Sequence, residues 1–230
     1  MQRIPEPELM TDPEQARAYA QADFSEPHDH FVTLYQERFG NHLQGEVLDL
    51  GCGPGDICRR FACAFPHCDV TGVDGSQAML DAGCGQNTVT RPGDRVQLRY
   101  GLLPDVDLPN HHYDTVISNS LLHHLQEPQI LWQSIIRFGK PGCPVLVMDL
   151  MRPADRETAD TMVSEYAGNE PEILKQDFFH SLLAAYTPVE VEAQLRAAGL
   201  DQLTVEVVSD RHLLVSGRLG NQVSNAASRS

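Results

Sequence analysis

The run Val47-Leu48-Asp49-Leu50-Gly51-Cys52-Gly53-Pro54-Gly55-Asp56 constrains this chain more than any other segment. A short apolar strand empties into a turn with alternate glycines, and a helical stretch, Ile57 to Phe65, follows at once. A backbone without Cβ atoms lets a ligand lie close against the carboxyl end of the strand. The segment therefore predicts a strand, a ligand-approachable turn and a helix in that order.

The same alternation continues downstream. Strands are predicted at Val70 to Val73, Val96 to Tyr100, Thr115 to Ser118 and Pro144 to Leu150, with helical segments at Gln77 to Ala82 and Pro128 to Phe138. Leu203 to Val208 and His212 to Ser216, joined by Ser209-Asp210-Arg211, read as a closing antiparallel hairpin. The expected fold is α/β: a Rossmann-like, doubly wound, seven-stranded and mostly parallel sheet with helices on both faces.

At 230 residues the chain suits one domain with decorations. Residues 12–39 read as two helices: Asp12-Pro13 is an N-cap followed by proline at the first helical position, and Phe31, Leu34, Tyr35 and Phe39 recur at helical spacing, so residues 1–40 are expected to form an N-terminal helical cap. Residues 41–219 would form the α/β domain. Within it the stretch from Asp155 to Ala185 is too long for an ordinary connection, which predicts a helical lid insert at about 153–186. The small, polar residues 220–230 read as a flexible tail.

Charge narrows the partners. With 17 Lys+Arg against 32 Asp+Glu the formal net charge is -15, a field that repels phosphate backbones and anionic membrane surfaces. No stretch approaches the ~18 consecutive apolar residues of a spanning helix, so a cytoplasmic location is the expectation. The six cysteines form no C-x-x-C pair and read as reduced structural thiols; no metal site is expected.

The glycine turn departs from the dinucleotide fingerprint, because Asp56 stands where the third glycine would be. A pyrophosphate would meet a carboxylate there. Asp49 adds a second anion beside the pocket, which suits a sulfonium or an amino group better than phosphates. Roughly 20 residues past the turn, Asp74 ends the strand of Val70-Thr71-Gly72-Val73-Asp74-Gly75-Ser76, the place where a carboxylate accepts ribose hydroxyls. The ligand expected is a nucleoside that carries a cation.

Taken with Tyr113-Asp114-Thr115-Val116-Ile117-Ser118 and the turn Lys140-Pro141-Gly142, these segments resemble the class I S-adenosylmethionine-dependent methyltransferases over about residues 45 to 150. The resemblance implies S-adenosylmethionine as cofactor and S-adenosylhomocysteine as product. By the same resemblance Gly51, Gly53 and Gly55 would line the methionine and ribose, Asp74 with Gly75 and Ser76 would hold the ribose, and Gly101, Leu102 and Leu103 would flank the adenine. The family often has an acidic residue where Leu102 stands, so that contact would pass to backbone.

Asn119 is similar to the residue that faces the methionine portion near the reacting methyl; alternatively it caps a helix over Ser120 to Leu125. His123 and His124 are placed as in many small-molecule members of the family, as acceptor contact or general base, or they pack that helix against the sheet. Asp149 and Arg152 either meet substrate at the carboxyl end of the fifth strand or form an ion pair that fixes the loop. Tyr19 and Phe24 either close over the cofactor or pack in the core.

No Asn-Pro-Pro-Tyr or Asp-Pro-Pro-Tyr follows the fourth strand, which disfavours the nucleic-acid amino methyltransferases. The function expected is in-line methyl transfer to a small-molecule acceptor, with His124 or His123 as base where the acceptor carries a proton. A tRNA or protein methyltransferase and a non-catalytic S-adenosylmethionine-binding protein are the alternatives. A small-molecule acceptor is the expected partner, membranes and nucleic acid are disfavoured, and a homodimer is allowed.

Overall fold

The computed structural model describes residues 1–6, 9–84 and 95–220. Two helices, α1 (Pro13–Gln21) and α2 (Ser25–Phe39), lead into β1 (Gln44–Leu50), α3 (Asp56–Ala64), β2 (His67–Asp74), α4 (Gln77–Cys84) and β3 (Val96–Tyr100). There follow β4 (Thr115–Asn119), α5 (Gln129–Phe138), β5 (Pro144–Leu150), α6 (Arg156–Tyr166), α7 (Glu172–Ala184), α8 (Pro188–Ala198), β6 (Thr204–Val207) and β7 (His212–Arg218). The tail expected at 220–230 lies outside the described residues apart from Gly220.

All seven strands join one sheet in the order β3-β2-β1-β4-β5-β7-β6. The first five are parallel, and β7 enters antiparallel between β5 and β6. The expected fold class is the observed one. Because β1 pairs with β2 on one side and β4 on the other, the strand order reverses at β1, and a crevice opens beyond the carboxyl ends of β1 and β4.

Alternation along the strands explains the two cores. Leu48, Leu50, Val116 and Val147 face α5 and α8, where Leu131, Trp132, Ile135, Val191 and Leu195 meet them. Val47, Val70, Ile117 and Met148 point to the opposite face against Phe31, Tyr35, Ile57 and Phe61 of α2 and α3. Tyr35 packs edge-on against Phe61 and Phe65, and its hydroxyl lies 3.0 Å from Thr115 Oγ1. Both faces of a parallel sheet are thus covered, as its backbone and side chains require.

Local signals set the helix ends. Asp12 accepts the Glu14 and Gln15 amides at the start of α1, and Thr187 with Glu190 forms a capping box on α8, which stops at left-handed Gly199. One expected helix departs from the reading. Instead of a helix over Ser120 to Leu125 there is a single 3-10 turn, Leu122–His124, because Ser120 takes φ 58° and breaks the helical path. Asn119 does not cap that turn; the Asp149 carboxylate accepts the Leu122 amide at 2.7 Å instead.

Candidate functional site

The crevice at the strand reversal is the mouth of a cavity of about 640 Å³, within the usual range for small ligands. Its floor is the carboxyl end of the sheet: Asp49, Gly51, Cys52 and Gly53 after β1, Asp74, Gly75 and Ser76 after β2, Gly101, Leu102 and Leu103 after β3, Asn119 after β4. Its roof comes from elsewhere in the chain, with Tyr19 and Phe24 on one side and Tyr166, Leu174, Asp177 and Phe178 of α6 and α7 on the other.

The turn has the conformation its glycines allow. Gly51, Gly53 and Gly55 have φ 73°, 53° and 81°, all in the left-handed region. The Gly51 and Cys52 amides donate to the Val73 carbonyl, which ties the turn to β2. Of the three glycines, Gly51 and Gly53 line the cavity; Gly55 sits behind them as the residue that opens α3.

Asp74 is held at this turn. Its two carboxylate oxygens accept one amide each, Gly53 at 2.7 Å and Ser76 at 2.8 Å, so each oxygen keeps a lone pair for a further donor. Burial raises its pKa, with these two amides acting against the rise. Asp49 is fully buried; burial, and then the repulsion of Asp74, push its pKa up to about 7, against one hydrogen bond from the Cys58 thiol. Asp49 Oδ1 and Asn119 Oδ1 are buried without a hydrogen-bond partner. Two carboxylates and an unpaired amide oxygen around one void form an acceptor-rich lining, which fits a ligand that brings hydroxyls and a cation.

Tyr19 stacks on Phe24 with ring centroids 4.8 Å apart, and burial followed by the nearby Asp74 pushes its hydroxyl up to about 12. Asp56, which excluded a dinucleotide in the sequence, is engaged by His28 and Arg60, each at 2.6 Å. Those two hydrogen bonds outweigh the cost of burial and pull its pKa down to about 2.

His123 and His124 line the cavity, with rings 4.1 Å apart. His123 is buried; Asp149 lies 2.6 Å from its Nδ1. Burial opposes its charged form, but Asp149 and then Glu6 more than compensate, so its pKa is raised. Asp149 and Arg152 do not line the cavity and do not pair with each other. Arg152 donates to Glu190 at 2.7 Å and to the Ala185 carbonyl, while Asp149 serves His123 and the Leu122 amide.

Sequence reasoning missed the N-terminal strap, of which residues 1–6 and 9–10 are described. Arg3 lies over the Tyr186 ring at 4.1 Å and donates to the carbonyls of His123, Leu125 and Ala184; Met10 accepts the Ser76 hydroxyl. This strap carries Glu6 to within 3.1 Å of His124 and 3.7 Å of His123. Nothing in its composition announces such contacts, whose hydrogen bonds join residues 66 to 181 positions apart.

The strand order, the glycine turn and the carboxylate at the end of β2 define a doubly wound enzyme built for a nucleoside cofactor. Residues 47–142 match the family profile described as a methyltransferase domain. An uncharacterized methyltransferase of Mycobacterium tuberculosis is 27% identical over 152 residues, 66% of this chain and 74% of that protein. A demethylmenaquinone methyltransferase of Symbiobacterium thermophilum is 28% identical over 56% of this chain and 50% of its own. A putative S-adenosyl-L-methionine-dependent methyltransferase of Methanococcus maripaludis shares the fold, with a TM-score of 0.70 at 15% identity over 95% of this chain and 98% of that one. Residues 47–142 thus carry a methyltransferase domain, and the fold around them is that of the S-adenosylmethionine-dependent methyltransferases. Among the described residues no helix is long and apolar enough to cross a membrane.

Proposed function

We propose that this methyltransferase acts on a small molecule that enters beneath α6 and α7. The observation that carries this reading is the roof: residues from α1, α6 and α7 close over the strand ends and leave a void of about 640 Å³. A void of that size takes a cofactor and a small acceptor; a macromolecule would need the roof to open. The demethylmenaquinone methyltransferase among the relatives is also named for a small acceptor.

Bound S-adenosylmethionine supplies an activated methyl group on a sulfonium. The donor set fits its parts. Asp74 would take the ribose hydroxyls on the lone pairs its two amides leave free, flanked by Gly75 and Ser76. Gly51 and Gly53 would admit the methionine and ribose against the backbone, with Asn119 and the ionised form of Asp49 facing the amino group. Gly101, Leu102 and Leu103 would flank the adenine and Tyr19 would close over the ligand. Gly55 would act through the turn rather than by contact.

At the acceptor end, His123 and His124 would position the nucleophile and take its proton where it has one. Asp149 and Arg152 act through other residues: Asp149 orients His123, and Arg152 anchors the start of the lid to α8. The roof would exclude water and align the acceptor, contributions worth roughly 7–11 kcal/mol in well-oriented reactions.

The test is methyl transfer from labelled S-adenosylmethionine to panels of small hydroxy, amino, thiol and quinol compounds, beside tRNA and a protein extract. Label in a small-molecule panel alone is the expected result. Label confined to tRNA or protein would overturn the reading.

A further inference from the structure

Three groups meet beside the cavity: His123 and His124, which line it, and Glu6, whose Oε1 accepts the Ser181 hydroxyl at 3.0 Å. His123 Nδ1 is committed to Asp149, whose carboxylate already accepts the Leu122 and Leu150 amides and therefore acts as acceptor again. The hydrogen is then on Nδ1, and the neutral ring offers a lone pair at Nε2. That Nε2 lies 3.7 Å from Glu6 Oε1. His124 Nδ1 lies 3.1 Å from the same oxygen, yet it is buried and makes no hydrogen bond. Two ring nitrogens and a carboxylate oxygen, all within 4.8 Å of one another, converge on one point.

We propose that Glu6, His123 and His124 form a three-ligand site for a divalent transition-metal ion of the zinc class, with the remaining coordination position turned toward the acceptor. Two ligands at about 2.1 Å around a tetrahedral ion stand roughly 3.4 Å apart, and the separations of 3.1 and 3.7 Å bracket that value. Two imidazoles and a carboxylate are the donor set of ions that keep an open position. Asp149 supplies the support such a histidine needs on its other nitrogen.

Since His123 and His124 line the cavity, the open position would take an oxygen or nitrogen donor; with the ion bound, the two histidines would serve as ligands in place of the base role, and the ion would lower the acceptor's pKa. Acceptors that can ligate a metal, such as hydroxylated or enolic compounds, are the class this favours. That assignment of the acceptor rests on the proposed function above; metal binding itself does not. The strap becomes part of the site, because it delivers the carboxylate.

The test is a titration of the full-length, tag-free, chelator-treated protein with Co²⁺, followed by visible absorption, with S-adenosylmethionine binding measured on the same samples. The expected result is one equivalent of Co²⁺ with ligand-field bands and no thiolate charge-transfer band. Glu6→Ala should weaken binding at least tenfold, Asp149→Asn by about 10- to 100-fold, and His67→Ala, an exposed histidine, not at all. Glu6→Gln, which keeps the side chain's volume and removes its charge, should weaken binding as well and separates loss of the ligand from loss of packing, since the Glu6 side chain is only 12% exposed. Absence of stoichiometric Co²⁺ uptake, a thiolate band, or uptake unchanged in Glu6→Ala would overturn the proposal. Failure of Co²⁺ binding with S-adenosylmethionine binding intact sinks the metal site alone; the reverse pattern strikes at the cofactor assignment instead.

Discussion

Asp149 Oδ1 lies 2.6 Å from His123 Nδ1, and both side chains are buried. The pair joins the end of β5 to the 3-10 turn after β4, and the second carboxylate oxygen holds the Leu122 amide at 2.7 Å. An amide group in place of the carboxylate would turn an N–H toward one of these two donors. Asp149→Asn is therefore expected to lower stability by about 3–5 kcal/mol, as when a buried pair loses one partner. Denaturant unfolding of the two proteins measures it, and a loss below about 1 kcal/mol would count against a locked pair.

Gly51 has φ 73°, and a Cβ there would come within 2.8 Å of Leu121. Gly51→Ala meets both backbone strain and a side chain that lines the cavity. The expected outcome is a loss of about 1–3 kcal/mol in stability together with weakened cofactor binding. Thermal unfolding and calorimetry on the same variant read the two effects.

Asp49 gives a pH dependence with a defined sign. Burial raises its pKa from 3.8 to about 7, so between those values the folded protein holds a proton that the unfolded chain has released. Its contribution to stability is complete below the unfolded pKa and is lost as pH rises through about 7. The cofactor-free protein should lose on the order of 4 kcal/mol across that window relative to Asp49→Asn. Affinity for S-adenosylmethionine should move the other way and tighten as pH rises past neutrality, because in the proposed site the ionised carboxylate would face the cofactor's amino group. Unfolding and binding at pH 5.5 and pH 8 test both signs.

Arg3 ties the strap to the end of α7 through the Ala184 carbonyl and the Tyr186 ring, and to the turn after β4 through the carbonyls of His123 and Leu125. Arg3→Ala is expected to release the first residues while the sheet stays folded. Hydrogen exchange should then accelerate at the Ile4 amide, which donates to the Leu183 carbonyl at 3.0 Å, and not in β1 or β4.

Much of this was legible in the sequence, for physical reasons. The apolar run from Val47 ends in glycines because the strand must turn at once, and the strand spacing after it allows little but a parallel sheet. Val96–Tyr100 and Pro144–Leu150 stand where they were expected, and the final hairpin pairs as read. Tyr19, Asp49, Asp74, Asn119 and both histidines were expected at one site, and all line one cavity. For all but Tyr19, which lies on α1 and was expected from the family resemblance, positions relative to the strand ends carried that information.

What the sequence did not carry was contact between distant segments. Glu6 meets His123 across the fold, and Arg152 pairs with Glu190 instead of Asp149. Neither follows from periodicity, because each depends on how α7, α8 and the strap lie over the sheet. Asn119 was open to a capping role by its residue type, and Asp149, from the neighbouring strand, took that role.

Calorimetric titration with S-adenosylmethionine and S-adenosylhomocysteine, on the wild type and on Asp74→Ala, tests the central claim most directly. Asp74 accepts the Gly53 and Ser76 amides and lines the cavity, so its loss would remove the proposed ribose acceptor and loosen the glycine turn together. The account predicts saturable binding of both ligands to the wild type, weakened by about 100-fold or more in the variant, a change of roughly 2.7 kcal/mol. A wild type that binds neither ligand, or a variant that binds as the wild type does, would contradict it.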